Sequence, residues 1–178
     1  MKHRKLLRSV AVLLTALVWC FSLAGCGFRY VLENDNYAKD EVQRLLTALD
    51  RGDQQGFKDL FCEDSVKKIN EIDRKIDEFF RFYQGRSVSW EDLGGSSEKR
   101  MGSGLYLTFR YPCSVVTSQE TYRILFYYTA YHEDEPDQVG LHSILIMTEA
   151  LAQEAEIWQW PEENEIEVLY TLDDCDIP

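Results

Sequence analysis

The chain has 178 residues, a formal net charge of −12, and a composition that is 45% hydrophobic and 13% aromatic. This length provides one domain with a real hydrophobic core. The acidic charge argues against nucleic acid as a partner, because such a chain repels phosphates.

The first residues have the pattern of a secretion signal. Residues 2–8 hold four Lys and Arg, no acidic residue occurs before Glu33, and an apolar run extends from Val10 to Leu23. A positively charged start followed by a short apolar run is typical of a signal peptide. The run has roughly 14 residues, whereas a helix needs about 20 to cross the hydrocarbon core, so a permanent transmembrane anchor is disfavoured.

The segment Leu23-Ala24-Gly25-Cys26 follows this run. It resembles the bacterial lipobox, and the resemblance implies cleavage between Gly25 and Cys26 with a diacylglyceryl group on the Cys26 thiol. Two acyl chains are enough for stable membrane anchoring. The predicted organisation is therefore a signal peptide (1–25), a lipidated N-terminus and tether (26–34), one domain (35–172) and a flexible tail (173–178).

The net charge and the cysteines of the predicted mature chain bear on its surface and on its possible disulfides. Loss of the four Lys and Arg in residues 1–25 takes the formal charge from −12 to −16, and Arg123 is the last Lys or Arg in the chain. The acidic C-terminal third is read first as a solubilising surface, with a binding face for a cationic partner or metal ions as the alternative. Besides the anchor, Cys62, Cys113 and Cys175 remain; one disulfide among them stays open, and their spacing does not fit a metal site.

Helical periodicity dominates the first half of the domain. An amphipathic stripe from Ala38 to Leu49, capped by Asp35 or Asn36, predicts a helix that ends at Gly52. Asp53 caps a second, short helix. A third helix is predicted from Asp64 or Ser65 to the stop at Gly85, with an apolar stripe of Val66, Ile69, Ile72, Ile76, Phe79, Phe80 and Tyr83.

Alternating patterns follow and predict strands. Trp90 lies in the first. The second begins near Lys99, is kinked at Gly102 and Gly104, and continues to Tyr111. Further strands are predicted at Tyr122–Tyr131, Val139–Thr148 and, more weakly, Ile166–Leu172. The fold class is α+β: three N-terminal helices packed on the concave side of a curved, mostly antiparallel sheet of four to five strands.

Two segments carry a family likeness. Leu45–Asp53, which ends in Gly-Asp, and Phe57–Cys62, which contains a Leu-Phe pair, are similar to the opening of nuclear-transport-factor-like domains. From residue 23 to 148 the chain resembles bacterial lipoproteins that share a domain of unknown function of the 5104 type, with Val139–Leu141 opening a late strand. The resemblance implies a cystatin-like α+β cone with a pocket. Cys62 departs from the pattern, where we expect Ser.

Candidate site residues are few. His142, in the central strand, is the candidate acid or base, with a buried, hydrogen-bonded His as the plainer interpretation. His132 adjoins an acidic loop, Glu133–Asp137, that lacks the spacing of a calcium motif, so no metal or other cofactor is predicted. Aromatic residues predict either a ligand pocket or ordinary core; they are Trp90, Tyr106, Tyr127, Tyr128, Trp158 and Trp160.

The sequence thus predicts a lipoprotein on the extracytoplasmic face of the cell membrane, held there by its lipid. Gly27 replaces the Asp that would retain it at an inner membrane, and the resembling group favours a single-membrane cell. The domain is expected to bind an unknown small ligand or an envelope protein. The alternatives are an enzyme with an acid or base in the cone pocket, and a structural subunit of an envelope complex.

Overall fold

The computed structural model describes residues 36–100, 104–154 and 160–171. The signal, the lipobox Leu23–Cys26, the tether, Trp158 and the tail 173–178 lie outside the described residues. Four helices precede the first strand in the described part. They are α1 (Tyr37–Arg51), α2 (Gln54–Lys58), α3 (Glu63–Lys68) and α4 (Ile72–Phe82).

The remaining elements form a sheet with one further helix. The strands are β1 (Ser87–Asp92), β2 (Ser96–Arg100), β3 (Tyr106–Thr117), β4 (Thr121–His132), β5 (Gly140–Thr148) and β6 (Ile166–Val168). A 3₁₀ turn (Pro136–Gln138) precedes β5, and α5 (Glu149–Glu154) follows it. The fold is α+β with an open mixed sheet, since β5 and β6 pair in parallel while the other strand pairs are antiparallel.

The predicted third helix is wrong as one continuous element. Ile69 leaves the helical region at ψ 115°, and Glu71 adopts a left-handed conformation at φ 52°, so α3 and α4 are separate. Helix α3 contacts β5 and α4 contacts β6, and the break lets each helix follow its own strand. Ile69 and Ile72 both remain buried across it. Sequence periodicity continued through the break because both helices bury apolar residues.

The cap of that helix was also predicted wrongly. Cys62, rather than Asp64 or Ser65, is the N-cap of α3, and its sulfur accepts the Ser65 N–H at 3.4 Å. The Asp53 cap of α2 is confirmed, because its carboxylate accepts the Gly56 N–H at 2.8 Å.

One edge of the sheet is a bent ribbon. Strands β1 and β2 pair with successive halves of β3, and the predicted single strand from Lys99 to Tyr111 is instead β2 and β3. Three residues, Leu93–Gly95, face two on β3, which makes a bulge opposite Pro112. Pro112 has no N–H to donate, and its carbonyl accepts the Leu93 N–H at 3.2 Å. The bend therefore lies where the ladder is interrupted.

The two faces of the sheet have different neighbours. Side chains alternate along β4, so Tyr122 points toward α4, where it contacts Phe82 and Tyr83. Leu125 points the other way and packs with Leu151 of α5 in a second apolar cluster. Toward the other end of the same strands, this second face becomes polar.

Candidate functional site

A polar groove opens on the sheet face that carries Leu125. It consists of three cavities of about 220, 360 and 180 Å³ that share lining residues. Tyr127 of β4 lines all three. We call this surface the groove and define it by Glu98, Tyr106, Thr108, Arg110, Tyr127, Thr129, Glu135, His142, Ser143, Trp160 and Glu163.

The floor of the groove is buried and polar. Thr108, Thr129, His142 and Ser143 are 7%, 2%, 5% and 1% exposed. They come from three adjacent strands, with Thr108 opposite Thr129 in the ladder between β3 and β4. Buried polar side chains are costly unless they are hydrogen-bonded, so a polar floor of this kind calls for an explanation beyond packing.

A bulge in β5 aims His142 at the groove. Tyr127 pairs with Ser143 and Tyr128 pairs with Leu141, so His142 is an extra residue in the strand. Simple alternation would place His142 with Ile144 on the helix-covered face. The bulge overturns that placement, and bulges commonly re-aim a side chain beside a functional site.

His142 belongs to a chain of hydrogen bonds. Its Nε2 lies 2.7 Å from Thr129 Oγ1, and its Nδ1 lies 3.6 Å from Cys62 Sγ. The Cys62 thiol donates to Ser65 Oγ at 3.1 Å, and the Ser65 hydroxyl donates to Asn164 Oδ1 at 2.8 Å. Because the Cys62 thiol proton is donated to Ser65, the sulfur can only accept from the Nδ1–H of His142. The Nε2 atom then carries no proton and accepts a hydrogen bond from the Thr129 hydroxyl.

Both ring nitrogens of His142 are therefore engaged within the protein. Burial lowers the pKa of His142 below its usual value near 6.5, against the opposing pull of the Glu163 and Asp64 carboxylates. A neutral imidazole with no free nitrogen serves better as a support of the groove floor than as a general base. This arrangement of His142 does not support the alternative of an enzyme that uses it as an acid or base.

The structure brings together some of the predicted aromatic residues and not others. Tyr106, Tyr127, His142 and Trp160 line the groove, and the Tyr127 ring lies 4.8 Å from the His142 ring. His132 also lines it and stacks on Tyr106.

Two predicted aromatics lie elsewhere. Trp90 lies in β1 and does not line these three cavities. Tyr128 is a core residue, 8% exposed, that stacks on Phe109.

Sequence reasoning missed the polar members of the groove. Thr108 and Arg110 were visible as the polar positions of an alternating strand, which was a usable signal. Ser143 and Thr129 gave none, because the bulge that aligns them with His142 leaves no mark in the residue pattern. Glu163 was missed because the segment 160–165 has no periodicity.

A larger cavity of about 420 Å³ lies on the outer side of α1 and α2. Asp40, Gln43, Arg44 and Arg51 on its rim are exposed, and no buried polar side chain lines it in the described part of the chain. It is a shallow surface between helices, and the groove is the better candidate site.

The described residues can also be compared with the requirements of a disulfide, a metal site and a membrane-spanning helix. Cys62 and Cys113 are free and buried, so the two are not joined by a disulfide. Within residues 36–100, 104–154 and 160–171, no three His, Cys, Asp or Glu side chains are grouped to hold a metal ion. In those same ranges, none of the helices has the length and apolar character that a membrane crossing requires.

A family model described as Domain of unknown function (DUF5104) matches residues 44–149, more than half of the chain. The matched region contains most of the groove, from Glu98 to Ser143. A search of the curated proteins finds no match.

Proposed function

The chain belongs to the DUF5104 family, and we propose that it is a cell-envelope lipoprotein whose groove binds a small polar ligand outside the cytoplasm. The observation that carries the ligand-binding part is the groove itself, where buried polar side chains from three strands converge on open space. Binding sites typically combine such concavity with a few well-placed polar groups.

The groove also has the rigidity that a binding site needs. Its floor stands on paired strands, and the hydrogen-bond chain from Thr129 to Asn164 fixes the His142 ring. Asn164 adjoins Glu163, so the same chain ties one wall of the groove to the floor. Sites built on strands and supported by a second layer of hydrogen bonds hold their geometry better than sites on loops.

The anchoring part of the proposal is supported by the sequence. The cationic start, the apolar run and Leu23–Cys26 occur in the order that lipid attachment requires. The mature charge of −16 repels an anionic membrane, so the lipid rather than the protein surface would hold the domain there. We also propose that the sheet and its helices form a cone of the nuclear-transport-factor-like kind.

Ligand binding is tested by native mass spectrometry of the full-length chain, extracted in detergent from its own membrane. We expect a small non-covalent adduct on the wild type. Ser143→Phe should remove the adduct, because the new ring fills the groove. Ser89→Phe, on an exposed position of β1, is the matched control and should keep it. An adduct that survives Ser143→Phe would refute the groove as the site.

Lipid anchoring is tested by Cys26→Ala. The variant should lack incorporated fatty acid and should accumulate with residues 1–25 uncleaved, because only a lipidated cysteine directs that cleavage. Metabolic labelling and the mass of the purified chain provide the readouts. Normal maturation and membrane retention of the variant would contradict the anchor.

A further inference from the structure

The groove has a hydroxyl-rich part that holds its one arginine among the described residues, Arg110. Arg110 of β3 lines the two larger cavities, and its side chain is exposed. It has no ion-pair partner within the described ranges, although Glu98 and Glu163 line the same cavities. A guanidinium left without a carboxylate in a largely acidic protein is available to a ligand's anion.

Two largely buried residues beside Arg110 also have hydroxyl groups with unused hydrogen-bonding capacity. Ser143 is 99% buried and Thr108 is 93% buried, and each lines a cavity that Arg110 also lines. Neither hydroxyl has a hydrogen-bond partner in the part of the chain that the structure describes. Neither oxygen is among the fully buried unpaired atoms of the described residues, so both reach the groove, where an acceptor can take a hydrogen bond from each of them.

The smallest cavity is the acidic part of the groove. Glu98, Glu135 and Glu163 line it, and no Lys or Arg lines it among the described residues. Glu98 accepts the Tyr106 hydroxyl at 2.5 Å, which raises the pKa of Tyr106 and fixes the carboxylate against the sheet. Glu98 and Glu163 border both parts of the groove, while Arg110 lines only the two larger cavities and Glu135 only the smallest one, so the balance of charge shifts from mixed to acidic along the groove.

We propose that the groove binds a small zwitterion of the amino-acid class. The ligand's carboxylate pairs with Arg110 and accepts from the Ser143 or Thr108 hydroxyl, and its ammonium group lies at the acidic part. This inference rests on the proposed function and names the ligand class for the same site.

The charges of the groove decide between the alternatives. A phosphate dianion would meet Glu98 and Glu163 in the cavities that Arg110 lines, and it would be repelled more strongly than a carboxylate. A neutral sugar has no charged group to pair with Arg110 or with the glutamates of the groove. Arg also suits a carboxylate geometrically, because its planar fork donates two parallel hydrogen bonds.

The test measures thermal unfolding of the full-length protein in detergent against matched probes. The probes are pooled free L-amino acids, the same acids with the amine acetylated, their amides, their doubly blocked forms, glucose and inorganic phosphate. The free amino acids should raise the midpoint by about 5 °C at saturating concentration. Singly blocked forms should give a smaller rise, and doubly blocked forms none.

Variants assign the effect to Arg110. Arg110→Gln should abolish the rise, and Arg110→Lys should keep part of it, because lysine is cationic but not bidentate. Arg86→Gln, at another exposed arginine, is the matched control and should respond as the wild type does.

Stabilisation by glucose or phosphate alone would overturn the ligand class while leaving the proposed function standing. An equal response of the Arg110→Gln variant would overturn the assignment to this part of the groove. No response to any probe, together with no adduct in native mass spectrometry, would overturn both proposals.

Discussion

Cys62 occupies an N-cap position, where serine is one of the favoured residues. It caps α3 through its sulfur, which accepts the Ser65 N–H, and it also contacts Ser65 Oγ and His142. Serine and threonine are favoured at N-caps because a hydroxyl oxygen accepts such an N–H well. The family resemblance led us to expect Ser here, and the cap geometry supplies the physical reason.

Two substitutions separate the cap from simple packing. Cys62→Ser should leave the free energy of unfolding within about 0.5 kcal/mol of the wild type, because a hydroxyl can make the same contacts. Cys62→Ala should lower it by about 2 kcal/mol, through loss of the cap and of buried volume. Urea denaturation measures both. Equal losses for the two variants would show that sulfur volume, not capping, is what the position requires.

His142 should make stability depend on pH. Burial lowers its pKa in the folded state, so above about pH 6.5 the imidazole is neutral in both states and its full contribution is present. As the pH falls below that value, the unfolded chain binds the proton first, and the free energy of unfolding decreases until the pH passes the folded pKa.

His142→Gln removes this dependence. The difference in unfolding free energy between the wild type and the variant should shrink from pH 7.5 to pH 5. Glu41 and Glu167, whose pKa values are raised by burial, contribute with the opposite sign, but they are present in both proteins and largely cancel. A difference that stays constant over this range would contradict the inferred neutral state.

For helices and strands, the sequence predicts those elements whose apolar residues recur with a regular period. The stripe from Ala38 to Leu49 forms α1, and the alternation in β3 and β4 forms two long paired strands. Periodicity fails where a tertiary contact interrupts it. The turn at Glu71 and the bulge at His142 both lie inside patterns that read as continuous. The groove was thus only partly predictable, since its floor depends on that bulge.

Gly140 joins the helices to the sheet. It has φ 136°, and a Cβ there would lie 2.6 Å from Cys62 N and 2.9 Å from Leu60 O. These are the backbone groups that hydrogen-bond to Leu141. The glycine lets β5 lie directly against the segment before α3, and it explains the Gly-Leu pair noted in the sequence.

Gly140→Ala should lower the free energy of unfolding by about 3 kcal/mol, from backbone strain and the forced separation of the two segments. Gly52→Ala is the control. Gly52 also has a positive φ, 67°, but nothing lies within 4 Å of its added methyl, so we expect a loss of about 1 kcal/mol. Thermal or urea unfolding compares them, and equal losses would mean that strain alone acts at Gly140.

In the whole molecule, the overall negative charge contrasts with the arginine of the candidate site. Residues 26–178 carry a formal charge of −16, yet the candidate groove retains Arg110 without an ion-pair partner in the described ranges. Acidic bodies attract anions poorly over long range, so an anionic group is bound only where local contacts outweigh the overall field. Selectivity for a zwitterion over a simple anion follows from that balance.

The location of the binding site is tested by hydrogen–deuterium exchange of the full-length protein with and without pooled free L-amino acids. We predict slower exchange in β3, β4, β5 and residues 160–165 at the groove. Slower exchange confined to the cavity between α1 and α2, or no change anywhere, would contradict it.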